Sequence, residues 1–561
     1  MLGALRQTLL EYELIAPQLA APPSAADQTP AAWQATRSLA RRRGTGSYYT
    51  PFPLRRWLVQ RTLAPAWRAW LRATATSDSD SPPPRVLDPA MGAGHFLVSA
   101  HQWLARQLRK LASEAPHHPA VATANGRYER FVLAHCLWGT DSDAVTVAAA
   151  RVGLWLAAGA PSQTTGFERL QLADALVEPV IEPSGFDVVL GNPPYGKPAD
   201  RAYRSVVRKR FAGTRHNADL SVAFVALARE ALRPAGRVGL VLPKPLSYSA
   251  AWRRLRREIT PEVVALCDVE CGWREVRLEQ MLLVLSPHAR RAGYATARAD
   301  GTRFVRGPRC AVSLATRLDT LPAGADVRDW RRFDRLRCGR QSFGDVCRTF
   351  RGLPAQRQLR AAGEIAVLGG RDLVPFGVRS TSGYLAAAEV PAELTNGPRL
   401  LFQNIVAHVQ RPRPHLRLIG TWHAGQLATL DTVNNVVDRR DEVDLWAVLA
   451  LLQSQLVNWY VYTFVYNRAV RTMHFDQYFL DKIPLPERLD DYAAALAAAA
   501  RRATEITAAR PAAVGYDRTL SSAIPARGTS GRSDTADALQ IELRLVNHDI
   551  ESLTRAAYGL R

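Results

Sequence analysis

The sequence predicts an α/β fold, with a doubly wound and mainly parallel sheet that precedes a second domain of mixed α/β type. Short apolar stretches of strand type recur before residue 200, and each ends in a polar residue and a turn. The clearest is 186–191, which ends before Pro193 and Pro194 because proline cannot donate to a strand ladder. Ligands bind at the carboxyl ends of strands in open α/β sheets, so these polar residues should share one edge.

Length and composition indicate a soluble chain of two or three domains. Its 561 residues exceed what one ordinary core accommodates, and 47% of them are hydrophobic and 22% charged, as in globular proteins. The six cysteines form no CxxC pair and no cysteine–histidine cluster of metal-ligand spacing. We therefore expect reduced thiols in the cytoplasm, and no metal site.

The net charge predicts a polyanionic partner. Lysine and arginine outnumber aspartate and glutamate by 73 to 51, which gives a formal charge of +22. We expect nucleic acid rather than a membrane, because the chain shows no amphipathic basic anchor. Residues 445–467 carry no charge, but the polar Gln453, Ser454, Gln455 and Asn458 near their centre favour a buried helix over a membrane span.

The first elements along the chain are predicted to be helical. Residues 1–40 have the pattern of one or two helices broken by a proline turn. The string from Gly46 to Pro51 then leads into another helix, with Thr50 as its cap and Pro51 at its first position.

The first strand ends in an acid and a loop of small residues. Residues 85–88 end at Asp88, and Ala90, Gly92 and Gly94 follow before a helix begins near Phe96. Glycines let a backbone approach a ligand closely, and an acidic loop suits a ligand that carries an ammonium group. A phosphate-binding loop would instead offer bare N–H groups and a lysine, and the absence of a GxxxxGK[ST] string here excludes a nucleoside triphosphatase of that type.

Two further strands also end in carboxylates. The stretch 137–140 ends at Asp141 and Ser142, where a carboxylate could accept from two ribose hydroxyls. A shorter strand ends at Asp174 and Ala175. Each acid alone is more often a helix cap, so the prediction depends on their order along the chain.

The fourth polar strand end is Asn192-Pro193-Pro194-Tyr195. Asparagine offers a carbonyl acceptor, and Pro193 stiffens the loop and leaves its own carbonyl free. Tyr195 offers a flat face. Together these groups could hold an exocyclic amine in plane by two acceptors while the ring stacks on the base.

The chain after this tip is predicted to contact phosphate and then to complete the sheet. A loop with basic residues at 204, 208, 209, 210 and 215 should run along a nucleic-acid backbone. A helix over 219–232, a buried strand near 237–242 and a last strand at 281–285 should follow.

The tetrapeptide at 192–195 resembles motif IV of amino-methyltransferases that use S-adenosyl-L-methionine. Residues 46–51 resemble motif X of these enzymes, the segment from Asp88 to Gly94 resembles motif I, and Asp141 and Asp174 stand where motifs II and III place their acids. The order X, I, II, III, IV and then a recognition domain is similar to the gamma arrangement of adenine-N6 DNA methyltransferases of restriction-modification systems.

The resemblance implies a domain order. It implies a Rossmann-like class I S-adenosylmethionine-dependent methyltransferase core at 41–300, after a helical extension at 1–40. A mixed α/β target-recognition domain would follow at 301–490, whose Ile-Pro-Leu-Pro exit at 483–486 is its most recognisable string. Helices would fill 491–561, with a flexible insert at about 510–535.

The resemblance also implies the site. Asn192, Pro193, Pro194 and Tyr195 would be catalytic, and no metal would take part. The residues that would bind the cofactor S-adenosyl-L-methionine are Tyr49, Thr50, Asp88, Ala90, Gly92, Gly94, Asp141, Ser142, Asp174 and Ala175. The second aromatic ring that the family places before the last strand is missing at 275–277, and Trp273 could replace it.

The implied reaction is methyl transfer to adenine N6 in a specific site of double-stranded DNA, in restriction-modification or phage defence. Any DNA cleavage would need a separate restriction or defence subunit as a partner, because no PD…ExK nuclease string is found, and the chain could instead act as a solitary methylase. Three alternatives stay open: transfer to cytosine N4, where serine commonly replaces the asparagine; transfer to ribosomal RNA or protein glutamine; and a non-catalytic, S-adenosylmethionine-sensing DNA-binding subunit.

Overall fold

The structure is a computed structural model. It describes residues 12–15, 34–37, 50–76, 81–161, 165–270, 278–392, 397–411, 414–471, 473–509 and 534–560. The chain divides into two compact units, residues 1–316 and 317–561.

The first unit starts with a strand pair and contains one large sheet. Tyr12–Ile15 (β1) pairs antiparallel with Gln34–Arg37 (β2), so these described residues are not the helices that the sequence predicts for 1–40. The strands of the large sheet are β3 Val86–Asp88, β4 Leu137–Asp141, β5 Leu170–Leu172, β6 Phe186–Gly191, β7 Leu232–Pro243, β8 Val263–Glu270, β9 Gln280–Leu285, β10 Gly293–Asp300, β11 Arg303–Arg306 and β12 Cys310–Ala311.

The helices of this region alternate with the strands through the first part of the sheet. Their bounds are α1 Phe52–Thr76, α2 His95–Glu114, α3 Pro119–Ala124, α4 Tyr128–Cys136, α5 Ala144–Ala157, α6 Arg201–Arg210, α7 Leu220–Glu230, α8 Arg253–Ile259 and α9 Val312–Leu318. The basic segment after residue 200 is therefore largely the helix α6, not the predicted loop, and Asp200 caps it by accepting from the Ala202 N–H at 2.8 Å.

The strand order is β11-β10-β8-β9-β7-β6-β3-β4-β5, with β12 paired to β10. Strands β5, β4, β3, β6 and β7 are parallel to their neighbours in turn. Strand β9 runs antiparallel between β7 and β8, so it lies inside the sheet and does not close its edge. Pairing of β11 and β12 with β10 extends the sheet beyond residue 300, the predicted end of this domain.

The core of the first unit forms where α1 crosses the sheet. Leu58 and Leu63 of α1 are fully buried in one apolar cluster with Val188, Leu190 and other strand residues. Gly239 of β7 lies so close to α1 that an added Cβ would meet Thr62 Cγ2 at 2.7 Å. Glycine there lets the helix pack directly on the strand, which fixes the sheet beneath the polar strand ends.

The second unit contains smaller sheets. Cys347–Arg351, Val433–Asp438, Arg399–Gln403 and Gly420–His423 form a four-stranded antiparallel sheet in that order. A three-stranded sheet has the order Gly383–Leu385, Ile365–Leu368, Ala428–Thr429. Three strand pairs complete this set: Leu373–Val374 with Gly377–Val378, Ala407–Val409 with His415–Arg417, and Cys338–Ser342 with Pro484–Pro486.

The described part of the second unit also contains helices. They are Val327–Asp334, Phe343–Val346, Leu445–Gln453, Gln455–Tyr460, the π-helix Val461–Val465, Gln477–Leu480, Leu489–Ala509 and Asp534–Ala557. The charge-free segment 445–467 is thus broken at Ser454, whose hydroxyl accepts from the Val457 N–H at 3.2 Å. Its apolar side chains are buried, except for the partly exposed Trp446 and Trp459. No helix in the described ranges is both long and apolar enough to cross a membrane.

Candidate active site at the carboxyl edge of the sheet

In the sheet, β4 and β5 lie on one side of β3, whereas β6 and β7 lie on the other side. The strand order therefore reverses between β3 and β6, and ligands bind at such a topological switch point in open α/β sheets. Asp88 ends β3, and Asn192 follows β6 directly. The two strand ends touch, because a Cβ added at Gly191 would meet Asp88 Oδ1 at 2.8 Å. The predicted acid therefore lies beside Gly191, the residue that directly precedes the predicted amide.

Asp88 is a buried carboxyl group, and no described residue forms an ion pair with it. Only 1% of its surface is exposed, and the one hydrogen bond to it within the described residues comes from the Ala90 N–H at 3.2 Å. Burial and, to a smaller extent, the nearby charge of Asp141 raise the pKa of Asp88 to about 8, although the hydrogen bond from Ala90 lowers it. A cationic ligand group would compensate this carboxylate.

The backbone conformation of the loop after Asp88 depends on its glycines. Gly92 and Gly94 have φ of 53° and 72°, in the left-handed region that side chains rarely adopt. A Cβ on Gly94 would also meet Ala150 Cβ of α5 at 2.9 Å. The loop therefore passes close to α5 and turns sharply into α2.

Asp141 ties this loop to the end of β4. Its carboxylate accepts from the Gly92 N–H at 2.8 Å, from the Asp143 N–H at 3.0 Å and from the Thr146 hydroxyl at 3.0 Å. Asp141 is half-buried, and Ser142 beside it is exposed. Asp141, which the sequence predicts to bind the ribose, thus also holds the glycine loop in place.

Asp174 and Ala175 join the loop after β5 to α6. The Leu176 N–H donates to Asp174 Oδ1 at 2.9 Å, and Arg210 of α6 donates to the Ala175 carbonyl at 3.0 Å. Burial raises the pKa of Tyr203, and a hydrogen bond with Asp174 raises it as well. The sequence analysis did not assign Tyr203 or Arg210 to this contact, because no local pattern pairs α6 with that loop.

Tyr195 bonds to the neighbouring asparagine. Its hydroxyl lies within hydrogen-bond distance of Asn192 Oδ1 and 3.1 Å from the Val241 carbonyl oxygen. Burial raises the pKa of Tyr195 well above its ordinary value, so the hydroxyl keeps its proton. The Asn192 oxygen, which the sequence suggests as an amine acceptor, is thus engaged by the tyrosine that the sequence treats only as a flat ring.

The loop that carries Tyr195 is anchored on α7. The Gly196 N–H donates to Asp219 Oδ2 at 3.0 Å, and the Leu220 N–H donates to the Gly196 carbonyl at 3.0 Å. Gly196 has a φ of 91°, which favours glycine. These bonds hold the tip rigidly over the sheet edge.

Comparisons with known proteins agree with this geometry. Residues 36–272 match the family model described as N-6 DNA Methylase. This segment is an N-6 DNA methylase domain. A putative type II restriction enzyme and methyltransferase of Methanocaldococcus jannaschii is 28% identical over 80 residues, which make up 14% of this chain and only 6% of that protein.

The fold of the methylase domain and of the chain after it also has a solved counterpart. A structure of the type IIL restriction-modification enzyme MmeI in complex with DNA aligns with 93% of this chain and 77% of its own, at a TM-score of 0.59 and 12% identity. At that identity the similarity concerns the fold alone.

Thr50 is buried, and Arg55 connects it to α2, the helix that follows the glycine loop. The Arg55 side chain donates to the Thr50 carbonyl at 3.0 Å, and to the His95 carbonyl and the Ser99 hydroxyl of α2, both at 2.7 Å. Arg55 was not among the predicted site residues, because its burial and its contacts with α2 leave no signal in the local sequence. Tyr49, Trp273 and the segment 275–277 lie outside the described residues.

The basic residues of α6 divide into two kinds. Arg204 and Arg210 donate to backbone carbonyls, Arg204 to that of Ala199 at 3.2 Å, so they hold the structure together. Arg208 and Lys209 are exposed on the same helix. Within the part of the chain that the structure describes, no group of three histidine, cysteine or acidic side chains could hold a metal ion.

Proposed function

We propose that this chain transfers a methyl group from S-adenosyl-L-methionine to the N6 amine of adenine at a specific site in double-stranded DNA, within a restriction-modification or defence system. The contact of Gly191 with Asp88 carries this proposal, because it brings the acid of the glycine loop beside the residue that directly precedes the Asn-Pro-Pro-Tyr tip. The match of residues 36–272 to N-6 DNA methylases supports adenine and DNA over the alternatives.

The residues at the sheet edge fit S-adenosylmethionine. Asp88 is a buried carboxyl group with which no described residue forms an ion pair, and the α-ammonium group of the cofactor would supply a cation. Asp141 is half-buried and can accept from ribose hydroxyls, and Asp174 can accept from the adenine amine. Tyr49, Thr50, Ala90, Gly92, Gly94, Ser142 and Ala175 would complete the site. The bound cofactor supplies an electrophilic methyl group on a sulfonium that leaves readily.

The chain's own groups would position the target amine. Extrusion of adenine from the duplex costs roughly a few kcal/mol. Stacking on Tyr195 returns about 1–3 kcal/mol. Asn192 Oδ1 and the Pro193 carbonyl would accept from the two amine hydrogens, which turns the nitrogen lone pair toward the methyl donor. Catalysis would then consist of positioning and electrostatics.

The assay that tests the proposed function offers tritiated S-adenosylmethionine with duplex DNA, single-stranded DNA or RNA as the acceptor. We expect label in duplex DNA, and mass spectrometry of the nucleosides should identify N6-methyladenine. Exclusive label in N4-methylcytosine, in RNA or in no acceptor would contradict the proposal.

The raised pKa of Asp88 predicts a pH-dependent cofactor affinity. Its pKa is about 8 in the folded protein against an ordinary 3.8, so the folded carboxyl is protonated below pH 8. Cofactor binding to the carboxylate must release that proton, so the Kd should fall about tenfold per pH unit up to pH 8 and then level off. The same shift means that the stability of the ligand-free protein falls as the pH rises from about 4 to 8.

Calorimetry in buffers of different ionisation enthalpy measures this proton release. At pH 7 close to one proton should be released per cofactor bound, and Asp88→Asn should abolish the release and flatten the pH profile. A wild-type Kd that is constant between pH 6 and 8 would rule out this role of Asp88.

Helix α6 predicts a salt-dependent DNA contact. Arg208 and Lys209 are exposed, and each phosphate that they neutralise contributes nearly one unit to the slope of log K against log salt. The double variant Arg208→Ala/Lys209→Ala should therefore weaken DNA binding and reduce that slope by about 2. Arg106→Ala/Lys110→Ala on α2 makes the same charge change at two exposed residues and should leave the slope unchanged. Equal slopes in both double variants, measured by fluorescence anisotropy, would argue against the contact.

We also propose that the second unit contains the target-recognition function that the sequence indicates for 301–490. The resemblance of its strings to recognition domains supports this. The asparagines in these strings stabilise the fold. Asn434 donates to Asn404 Oδ1 at 3.0 Å, and Asn435 donates to the Thr429 hydroxyl at 2.8 Å; all four residues are buried. Base contacts would then come from the surrounding surface loops.

A further inference from the structure

Gln280 is a buried amide beside Tyr195 with an unused acceptor. It begins β9, it is 0% exposed, and its Nε2 lies 3.5 Å from the Tyr195 hydroxyl oxygen. Its Oε1 is buried and has no hydrogen-bond partner in the described part of the chain. A buried amide oxygen without a partner costs about 1–3 kcal/mol, so its retention calls for an explanation.

The backbone next to Gln280 is held in place by a buried ionic cluster. Lys244 Nζ lies 2.9 Å from Asp268 Oδ2 and 3.3 Å from Glu279 Oε1, and all three residues are at most 3% exposed. The Lys244 N–H also donates to the Glu279 carbonyl at 2.9 Å. Because Gln280 also pairs with Pro243 in the sheet, its freedom is limited largely to its side-chain torsions.

The hydroxyl of Tyr195 carries a single proton. While that proton is donated to Asn192 Oδ1, it occupies one of the two lone pairs of the asparagine oxygen and leaves that oxygen a weaker acceptor for a target amine. A half-turn of the terminal torsion of Gln280, which is broad and roughly two-fold, exchanges Nε2 for Oε1 next to the hydroxyl. The tyrosine could then donate to Gln280 instead, and Asn192 would be free to accept from the base.

We propose that Gln280 is a positioning residue that takes the Tyr195 hydrogen bond when the target base enters, and so releases Asn192 Oδ1 for the amine. This inference rests on the proposed methyl transfer. In the base-bound state, the Tyr195 hydroxyl would then be the hydrogen-bond partner of Gln280 Oε1. The Val241 carbonyl, 3.1 Å from the hydroxyl, is the competing acceptor, and it would make Gln280 dispensable.

The test is a mutant cycle on the single-turnover rate of methyl transfer. Gln280→Met keeps the size of the side chain but removes the acceptor, and we expect a rate about tenfold lower, which corresponds to the loss of one buried hydrogen bond. Gln280→Glu keeps an acceptor oxygen and should stay within about threefold of the wild type. In a Tyr195→Phe background, which lacks the hydroxyl, Gln280→Met should change the rate less than twofold. A merely structural role would slow transfer in both backgrounds.

Each remaining result overturns the inference. If Gln280→Met transfers methyl at the wild-type rate, the Val241 carbonyl suffices. If Gln280→Met slows transfer equally with and without the tyrosine hydroxyl, or if Gln280→Glu is as slow as Gln280→Met, the effect does not pass through that hydrogen bond. If the wild type methylates no nucleic acid at all, the proposed function fails and this inference fails with it.

Discussion

Asn192→Ala is expected to lower methyl transfer to duplex DNA by about two to three orders of magnitude, the usual cost of removing one preorganised group at a reacting centre. The side-chain oxygen of Asn192 would accept from the target amine, and alanine leaves that position empty. DNA binding should persist, because the phosphate contacts lie on other residues. Transfer of tritiated methyl under single-turnover conditions measures the loss, and anisotropy measures the DNA affinity.

A matched control for this variant is Asn125→Gly. Asn125 is exposed after α3 with a φ of 44°, which glycine adopts freely, so transfer should be unchanged. Full activity of Asn192→Ala would falsify the assignment of the tip as the catalytic site. Loss of DNA binding together with transfer would indicate a folding defect, which a thermal melt would detect.

Asp141→Ala is expected to weaken S-adenosylmethionine binding about a hundredfold. The variant removes the proposed acceptor of two ribose hydroxyls, and it also releases the Gly92 N–H that Asp141 holds at 2.8 Å. Hydrogen bonds to a charged group contribute about 1.5–3 kcal/mol each, so the loss of two at the lower end of that range gives about a hundredfold. Isothermal titration calorimetry measures the affinity directly.

Asp143→Ala serves as the comparison. It removes a neighbouring carboxylate that caps α5 through the Val145 N–H at 3.2 Å, but that carboxylate has no proposed contact with the cofactor. Its Kd should stay within about threefold of the wild type, although loss of the cap can lower the melting temperature. Equal affinities in Asp141→Ala and the wild type would remove the ribose role.

Most of the sheet edge could be predicted because its signals are local. Prolines 193 and 194 end an apolar run, the glycines after Asp88 precede a helix, and Asp141 ends a strand. Strand periodicity and turn residues act over a few positions, so they appear in the sequence without the fold. The family resemblance then placed these strand ends in one order, and the structure brings Asp88 beside the strand that leads to Asn192.

Other expectations were wrong where a nonlocal contact overrides a local pattern. The basic segment after residue 200 forms α6, which Asp200 caps and which Arg210 ties to the loop after β5. Strand β9 lies between β7 and β8, where both of its backbone edges are hydrogen-bonded and all of its side chains are buried on the two covered faces of the sheet.

By itself, the sequence determined which residues end the strands and which chemistry they carry: an acidic glycine loop, two further carboxylates and the Asn-Pro-Pro-Tyr tip. Only the tertiary structure decided how these groups engage one another. Tyr195 and Gln280 are 85 positions apart, and Lys244 meets Asp268 and Glu279 from a different strand end. The physical reason is that a hydrogen bond or ion pair between distant residues depends on strand order and register, and neither leaves a periodic signal along the chain.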